Sequence, residues 1–446
     1  MTAETHQERV RMYDAQFAAD PGGVYEALRA RYGNYAPAEL APGVPVTLVL
    51  GYDAALEVLR DPGTFPKDPR RWQATMAPDC PVLPVMGYRP SVLYTDGAEH
   101  ARFRVTITES FGQVPSSAMR EYIEQSADAI IDGFAADGEA DLCAQYGVRL
   151  PLLVFNRLFG CPPDIADRLV RGLSMVAELV NAEAGGAMFV QAALDLAKLK
   201  RARPGADIVS AMLAHPAGLT DEEMGNQIGM LVATGTDAVA NLIANALHLL
   251  LSDDRFGGDL SGGSLPIEDA LDEVLWTDPP VANFGFTYPV RDVEREGYVM
   301  PADQPVGIAY RAVNTDPSKQ TDERIGNRAH LAFSAGPHTC PAKNPARIIA
   351  SAAIEKLLDR LPDLDLAVSP DELQWRPGPF HRSLAALPVR FTPVPVLTPT
   401  PEPLPVGPRF PVRVPAPSAP SAPSAPAVED REDSSVLGRL TAWWKG

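Results

Sequence analysis

The most specific chemistry in the chain lies between residues 333 and 347, which read Phe-Ser-Ala-Gly-Pro-His-Thr-Cys-Pro-Ala-Lys-Asn-Pro-Ala-Arg. Cys340 stands just before a segment of helical spacing, NPARIIASAAIEKLLDRL. Amide donors and the positive end of a helix favour a thiolate over a thiol at such a place. Gly336 permits a tight turn that residues with a β-carbon resist. A thiolate held in this way is a ligand for a soft or redox-active metal, and haem iron is the usual case for a lone cysteine. His338, two residues away, could bond a haem carboxylate. The competing reading is a buried structural thiol. A second candidate is Asp237, the single acidic residue in QIGMLVATGTDAVANLIANALHLLL (227–251), a run with no Lys or Arg.

These residues need a large, mostly helical body to hold them. The 446 residues are 46% apolar and 22% charged, with a net charge of −18. Such a chain can build a packed core, and its acidity argues against nucleic acid or an anionic membrane as the main partner. Four cysteines without a CxxC pair give no disulfide framework or zinc cluster. The N-terminus, MTAETHQERVRMYDAQF, has no apolar core of a secretory signal, so a cytoplasmic, reducing location is expected. Helices are predicted over 22–32, 53–61, 98–112, 117–136, 164–180 and 186–200. β-like segments are predicted at 44–52 and near 283–310. The 227–251 run is long enough to span a membrane. Its Asp, Asn, His and Thr residues favour a central helix buried on nearly all sides instead. From Pro393 to Pro426, 13 of 34 positions are proline, as in SAPSAPSAPA. That composition predicts a disordered, extended linker. The expected organisation is a compact domain over 1–391, a Pro/Ala-rich linker with an acidic end over 392–433, and a short amphipathic peptide over 434–446.

The cysteine loop resembles the haem-binding signature of the cytochrome P450 family, F-G-x-G-x-H-x-C-x-[GA]. Phe333, Gly336, His338, Cys340 and Ala342 match, with Ser334 at the first glycine; Ala346 and Arg347 match the residues that usually come next, with Pro345 in place of leucine. The likeness runs from about residue 20 to 391. It includes TDGAEHARFR (95–104), GTFPKDPRRW (63–72) and AVNTDP (312–317). It implies the P450 fold, mainly α with a small β region around a central buried I-helix. It also implies one b-type haem ligated by Cys340, with His100 and Arg104 as propionate donors. The B–C loop, roughly 73–93, and residues 175–200 are then expected to line the pocket.

Three departures accompany the match. The family's Glu-x-x-Arg reads Glu273-Val-Leu-Trp276 here. A lone buried Glu273 is costly, so it needs another cation, a proton or water; Arg324 is the candidate partner. Glu-x-x-Trp resembles an actinobacterial subfamily, some members of which are encoded beside a small GTPase signalling set. The central motif [AG]-G-x-[DE]-T reads Thr234-Gly235-Thr236-Asp237-Ala238. Gly235 is expected to leave the oxygen groove and Asp237 to relay protons, but Ala238 removes the hydroxyl. Thr234 shares its helix face better than Thr236. Thr287 occupies the place of a propionate-binding arginine, with Arg291 four residues on.

The resemblance implies a monooxygenase that inserts one oxygen atom of dioxygen into a small organic substrate, fed by a separate ferredoxin and ferredoxin reductase. The alternative is a haem-binding regulatory or scaffold member of a GTPase-associated complex, impaired in oxygen activation. Val436, Leu437, Leu440, Trp443 and Trp444 would share one helix face in the last segment. Thirteen residues do not hold a helix alone, so a protein partner, or recruitment to an assembly or membrane surface, is expected there.

Overall fold

The structure, a computed structural model, describes residues 9–177, 181–253, 267–319 and 326–397. Arg324, residues 178–180 of one expected helix, most of the proline-rich segment and all of 434–446 lie outside the described residues.

One 32-residue helix, Asp221–Ser252, organises the body. Thr220 accepts from the Glu223 amide while the Glu223 side chain takes the Thr220 amide, a reciprocal cap. Asp221, Glu222 and Glu223 sit at its positive end. From Met224 to Leu250 it is buried on most sides, against the helices Ala182–Ala202, Lys343–Arg360, Ile267–Thr277 and Arg149–Leu158. It alone among the described helices has the length and hydropathy to cross a membrane, yet protein surrounds it. The predicted helices appear as Pro21–Tyr32, Tyr52–Arg60, Gly97–Gly112, Ser116–Ile131, Pro163–Ala177 and Ala182–Ala202. Ser116–Ile131 stops five residues short of expectation, ahead of a turn at Gly133.

The β region is a five-stranded sheet in the order Val10–Arg11, Tyr35–Ala41, Val44–Val49, Val306–Ala309, Asn283–Thr287. Val44–Val49 runs parallel to Val306–Ala309, and Asn283–Thr287 antiparallel to it. Tyr35–Ala41 is buried almost throughout and carries little alternation, which is why the sequence did not mark it. Glu139–Asp141, Pro388–Arg390 and Asp365–Leu366 form a smaller sheet. A bent segment over 374–385 is closed by the Arg376 amide to Ser383 O and the Ala385 amide to Gln374 O, both 2.8 Å. Its tip is tied to the sheet: Ala282 and Asn283 donate to Phe380 O, and Arg382 donates to Pro280 O.

Beyond residue 391 the chain stays attached. Val394 donates to Ala135 O, Leu397 donates to Asp132, and Thr392 binds Asp363. Backbone ties to the body therefore continue past residue 391, through Leu397.

Candidate functional site

The cysteine loop is shaped by backbone contacts. Gly336 has φ +69°, and a β-carbon there would lie 2.3 Å from Leu59 O, so only glycine fits. Ser334, at the family's first glycine, also adopts a left-handed φ of 61°. Its hydroxyl meets Tyr310. The Cys340 amide donates to Phe333 O at 2.9 Å. The Ala342 amide donates to the Cys340 sulfur, and Arg104 and Lys343 favour the thiolate. Burial nevertheless prevails and pushes the thiol up. The amide donor expected to favour a thiolate is present, but burial outweighs it. The helix begins only at Lys343, and the sulfur is too desolvated. A coordinated metal would deprotonate it outright.

Cys340 lines a cavity of about 790 Å³. Phe333, His338, Ala342, His100, Arg104, Gly235 and Ala238 line it as well. So do the predicted segments, through residues such as Val85, Arg89, Phe189 and Leu194. Gly336 does not reach it; it shapes the loop behind. His100 and Arg104, one turn apart on Gly97–Gly112, present a buried imidazole and a half-buried guanidinium. His100 Nε2 has no partner, and Arg104 makes no ion pair among the described residues. Burial and the neighbouring His338 and Arg104 hold His100 down to about 4. A cation and an imidazole left unpaired beside one thiol in a large apolar cavity fit a planar, anionic, thiolate-ligated haem. No single-ion site explains them.

His338 differs from expectation. Its Nε2 lies 3.1 Å from Asp96 Oδ1, and its ring packs tilted against that of His100, with centroids 4.0 Å apart. It therefore props the His100 ring. Asp96 also accepts the Lys67 amide at 2.6 Å. Thr287 is buried and donates to Val306 O, and Arg291 is exposed; neither lines the cavity. The cation near the vacated arginine position is Lys67, whose Nζ donates to Gly285 O at 2.6 Å. Burial pushes its ammonium down to about 8. Its stretch was noted in the sequence, but nothing in a lone lysine signals burial.

Behind the cysteine loop, the buried acid is Asp272 rather than Glu273. Arg347 pairs with Asp272 and Glu268, and Arg328 reaches the same two acids at 3.2 and 3.4 Å. Trp276 donates its indole N–H to Asn327 O at 2.7 Å and meets His330 edge-on.

On the long helix, a β-carbon at Gly235 would lie 2.5 Å from Phe155 Cζ. That glycine thus admits the Phe155 ring on one side, and both residues line the cavity. The Thr234 hydroxyl donates to Met230 O at 2.8 Å, while the buried Thr236 hydroxyl finds no partner. Asp237 does not line the cavity. It sits behind the lining, 3.9 Å from His381 Nδ1, and burial pushes its carboxyl up while His381 and Arg376 pull it down. His381 lines the cavity and went unmarked in the sequence, because its nearness to Asp237 is purely tertiary.

No protein-family model matches the chain. The cytochrome P450 monooxygenase PikC of Streptomyces venezuelae is 33% identical over 390 residues, covering 84% of this chain and 92% of PikC. The mycinamicin IV hydroxylase/epoxidase of Micromonospora griseorubida is 30% identical, covering 81% of this chain and 95% of its own. Among solved structures, CYP154C4 from Streptomyces sp. ATCC 11861 superposes with a TM-score of 0.77 at 27% identity, over 86% of this chain and 98% of that one. The thiol loop, the unpaired His100 and Arg104 beside it and these relatives agree: the chain belongs to the bacterial cytochrome P450 family.

Proposed function

We propose that the protein is a haem-thiolate monooxygenase that inserts one oxygen atom of dioxygen into a small organic substrate. Its electrons come from a separate ferredoxin and ferredoxin reductase. The observation that carries this is the meeting of Cys340, His100 and Arg104 on one 790 Å³ cavity. Cys340 would hold the iron of haem b, and Arg104 and His100 its carboxylates. When bound, haem supplies oxygen activation, and a thiolate ligand favours cleavage of the O–O bond. The chain itself orients His100 through the His338–Asp96 pair and shields the sulfur by burial. It also encloses the substrate among apolar side chains such as Leu242, Val239 and Phe284.

Reduced protein with carbon monoxide should show the red-shifted absorption of a thiolate-ligated haem. Cys340→Ala should lose that band, whereas alanine at Cys80, Cys143 or Cys161 should leave it. Retention of the band in Cys340→Ala would end the assignment.

A second reading rests on the long helix, where Ala238 carries no hydroxyl and Thr234 commits its own to Met230 O. In that reading the protein is a haem-binding regulatory or scaffold member of a GTPase-associated assembly. Substrate turnover separates the two. Both readings place the haem domain in the cytoplasm and use residues 434–446 as a docking peptide on a proline-rich tether.

A further inference from the structure

The long helix meets the 374–385 segment along one stripe. Asn245 donates to Asp278 O and Arg382 O, at 3.2 and 3.1 Å. One turn earlier, Asn241 accepts from the Ser383 hydroxyl at 2.8 Å. One turn earlier again stands Asp237, opposite His381. Residues at this spacing share a helix face, so one stripe sets the register of the whole contact. The His381 backbone is fixed on both sides: Phe380 O accepts from Ala282 and Asn283, Arg382 donates to Pro280 O, and the Arg382 guanidinium lies 3.4 Å over Trp375.

The two side chains occupy different compartments. Asp237 is outside the cavity lining yet 20% exposed, with Arg376, itself exposed, as the other charge that reaches it. His381 lines the cavity together with Ala238 and Cys340. Asp237 thus stands between the exposed Arg376 and the cavity-lining His381, at the level where the helix offers no hydroxyl. The 3.9 Å separation is an ion-pair distance; a proton passes only when side-chain rotation brings the two groups within hydrogen-bond range.

We propose that His381 and Asp237 form the proton path into the cavity, with the imidazole in the role that Ala238 cannot fill. Asp237 passes its proton to His381 Nδ1 and regains one from solvent. The imidazolium releases one proton to an acceptor in the cavity. One proton enters from water and one leaves to the cavity; Asp237 regains its proton, while the ring is left protonated on Nδ1 and must rotate or re-tautomerise to accept the next one. Histidine suits this because its two ring nitrogens let it take a proton on one side and give one on the other.

The inference rests on the haem-thiolate reading, so the experiment measures both. In the holoprotein, the carboxylic acid band of Asp237, assigned by its loss in Asp237→Asn, is titrated by infrared spectroscopy. The titration should move to higher pH in His381→Phe, because the neighbouring imidazole that lowers it is gone. With a surrogate ferredoxin, His381→Phe and His381→Gln should both release a larger share of consumed electrons as peroxide. Glutamine keeps the hydrogen bonding but cannot carry a proton through. An unshifted Asp237 titration in His381→Phe, or wild-type peroxide release in His381→Gln, overturns the relay while the carbon monoxide band stands. Absence of that band in the wild type overturns the haem reading itself.

Discussion

An indole at position 276 changes what its neighbours can do. Trp276 is 5% exposed, bonds Asn327 O, and packs against His330, whose Nδ1 is buried without a partner. A guanidinium in its place would be buried beside Arg347 and Arg328, which already share the two nearby acids. Trp276→Arg is therefore expected to destabilise by about 3–5 kcal/mol, as uncompensated buried charges do. A lower melting temperature and lost haem would register it. A more stable variant would show the position to be degenerate. His330 carries a pH dependence. Burial holds it down to about 4, so the folded state keeps it neutral while the unfolded chain takes a proton near the usual histidine value. Its contribution is intact above about pH 6.5. It is lost as the pH falls toward 4, and the loss is complete below that value. His330→Phe should flatten this acid limb in thermal melts between pH 7 and 4. It should also remove an unsatisfied buried nitrogen, worth about 1 kcal/mol at neutral pH.

The four-charge cluster that clamps the cysteine loop joins three elements. Ile267–Thr277 supplies Glu268 and Asp272, Lys343–Arg360 supplies Arg347, and the segment before the loop supplies Arg328. Asp272 is 2% exposed. Asp272→Asn would leave two arginines facing one acid and should cost about 3–5 kcal/mol. Cys340 sits seven residues before Arg347, so haem retention should fall along with the melting temperature. Retention equal to wild type would show that the loop is held by its backbone bonds alone. Elements with strong local signatures were legible in the sequence: the cysteine loop with Gly336, the buried central helix over 227–251, and the His100–Arg104 spacing. The Glu273 and Trp276 departures were also legible, but not their resolution. Asp272 meets Arg347 across 75 positions and Asp237 meets His381 across 144, and no local pattern encodes such pairs. Tyr35–Ala41 was missed because a strand buried on both faces loses its alternation.

At the scale of the whole molecule, contacts tie the chain to the body as far as Leu397. Phe391 packs edge-on to Phe134, Thr392 binds Asp363, Val394 donates to Ala135 O and Leu397 to Asp132. Asp132 in turn pairs with Arg360 at the end of Lys343–Arg360, which also carries Arg347. A cut after Phe391 would remove the ties of Thr392, Val394 and Leu397 and disturb the domain, so a test of the tail should cut after Leu397. The tail sequence is proline-rich up to Pro426, then acidic at Glu429, Asp430, Glu432 and Asp433, then apolar at Val436, Leu437, Leu440, Trp443 and Trp444. Proline at that density favours an extended chain of about 3.1 Å per residue, so the 29 positions from 398 to 426 could reach roughly 90 Å. Thirteen terminal residues gain a stable helix only against a surface. Arg439 and Lys445 are the only cations among them, and the acidic cluster precedes them, so a protein groove suits the segment better than an anionic membrane. Removal of residues 398–446 should leave the haem spectrum and melting temperature unchanged and abolish co-purification with the native partner. Replacing Trp443 and Trp444 by alanine in the full chain should do the same, since aromatic anchors carry most of such binding. A truncated protein that still pulls down the same partner, or that loses haem, would show that the tail is not a docking peptide.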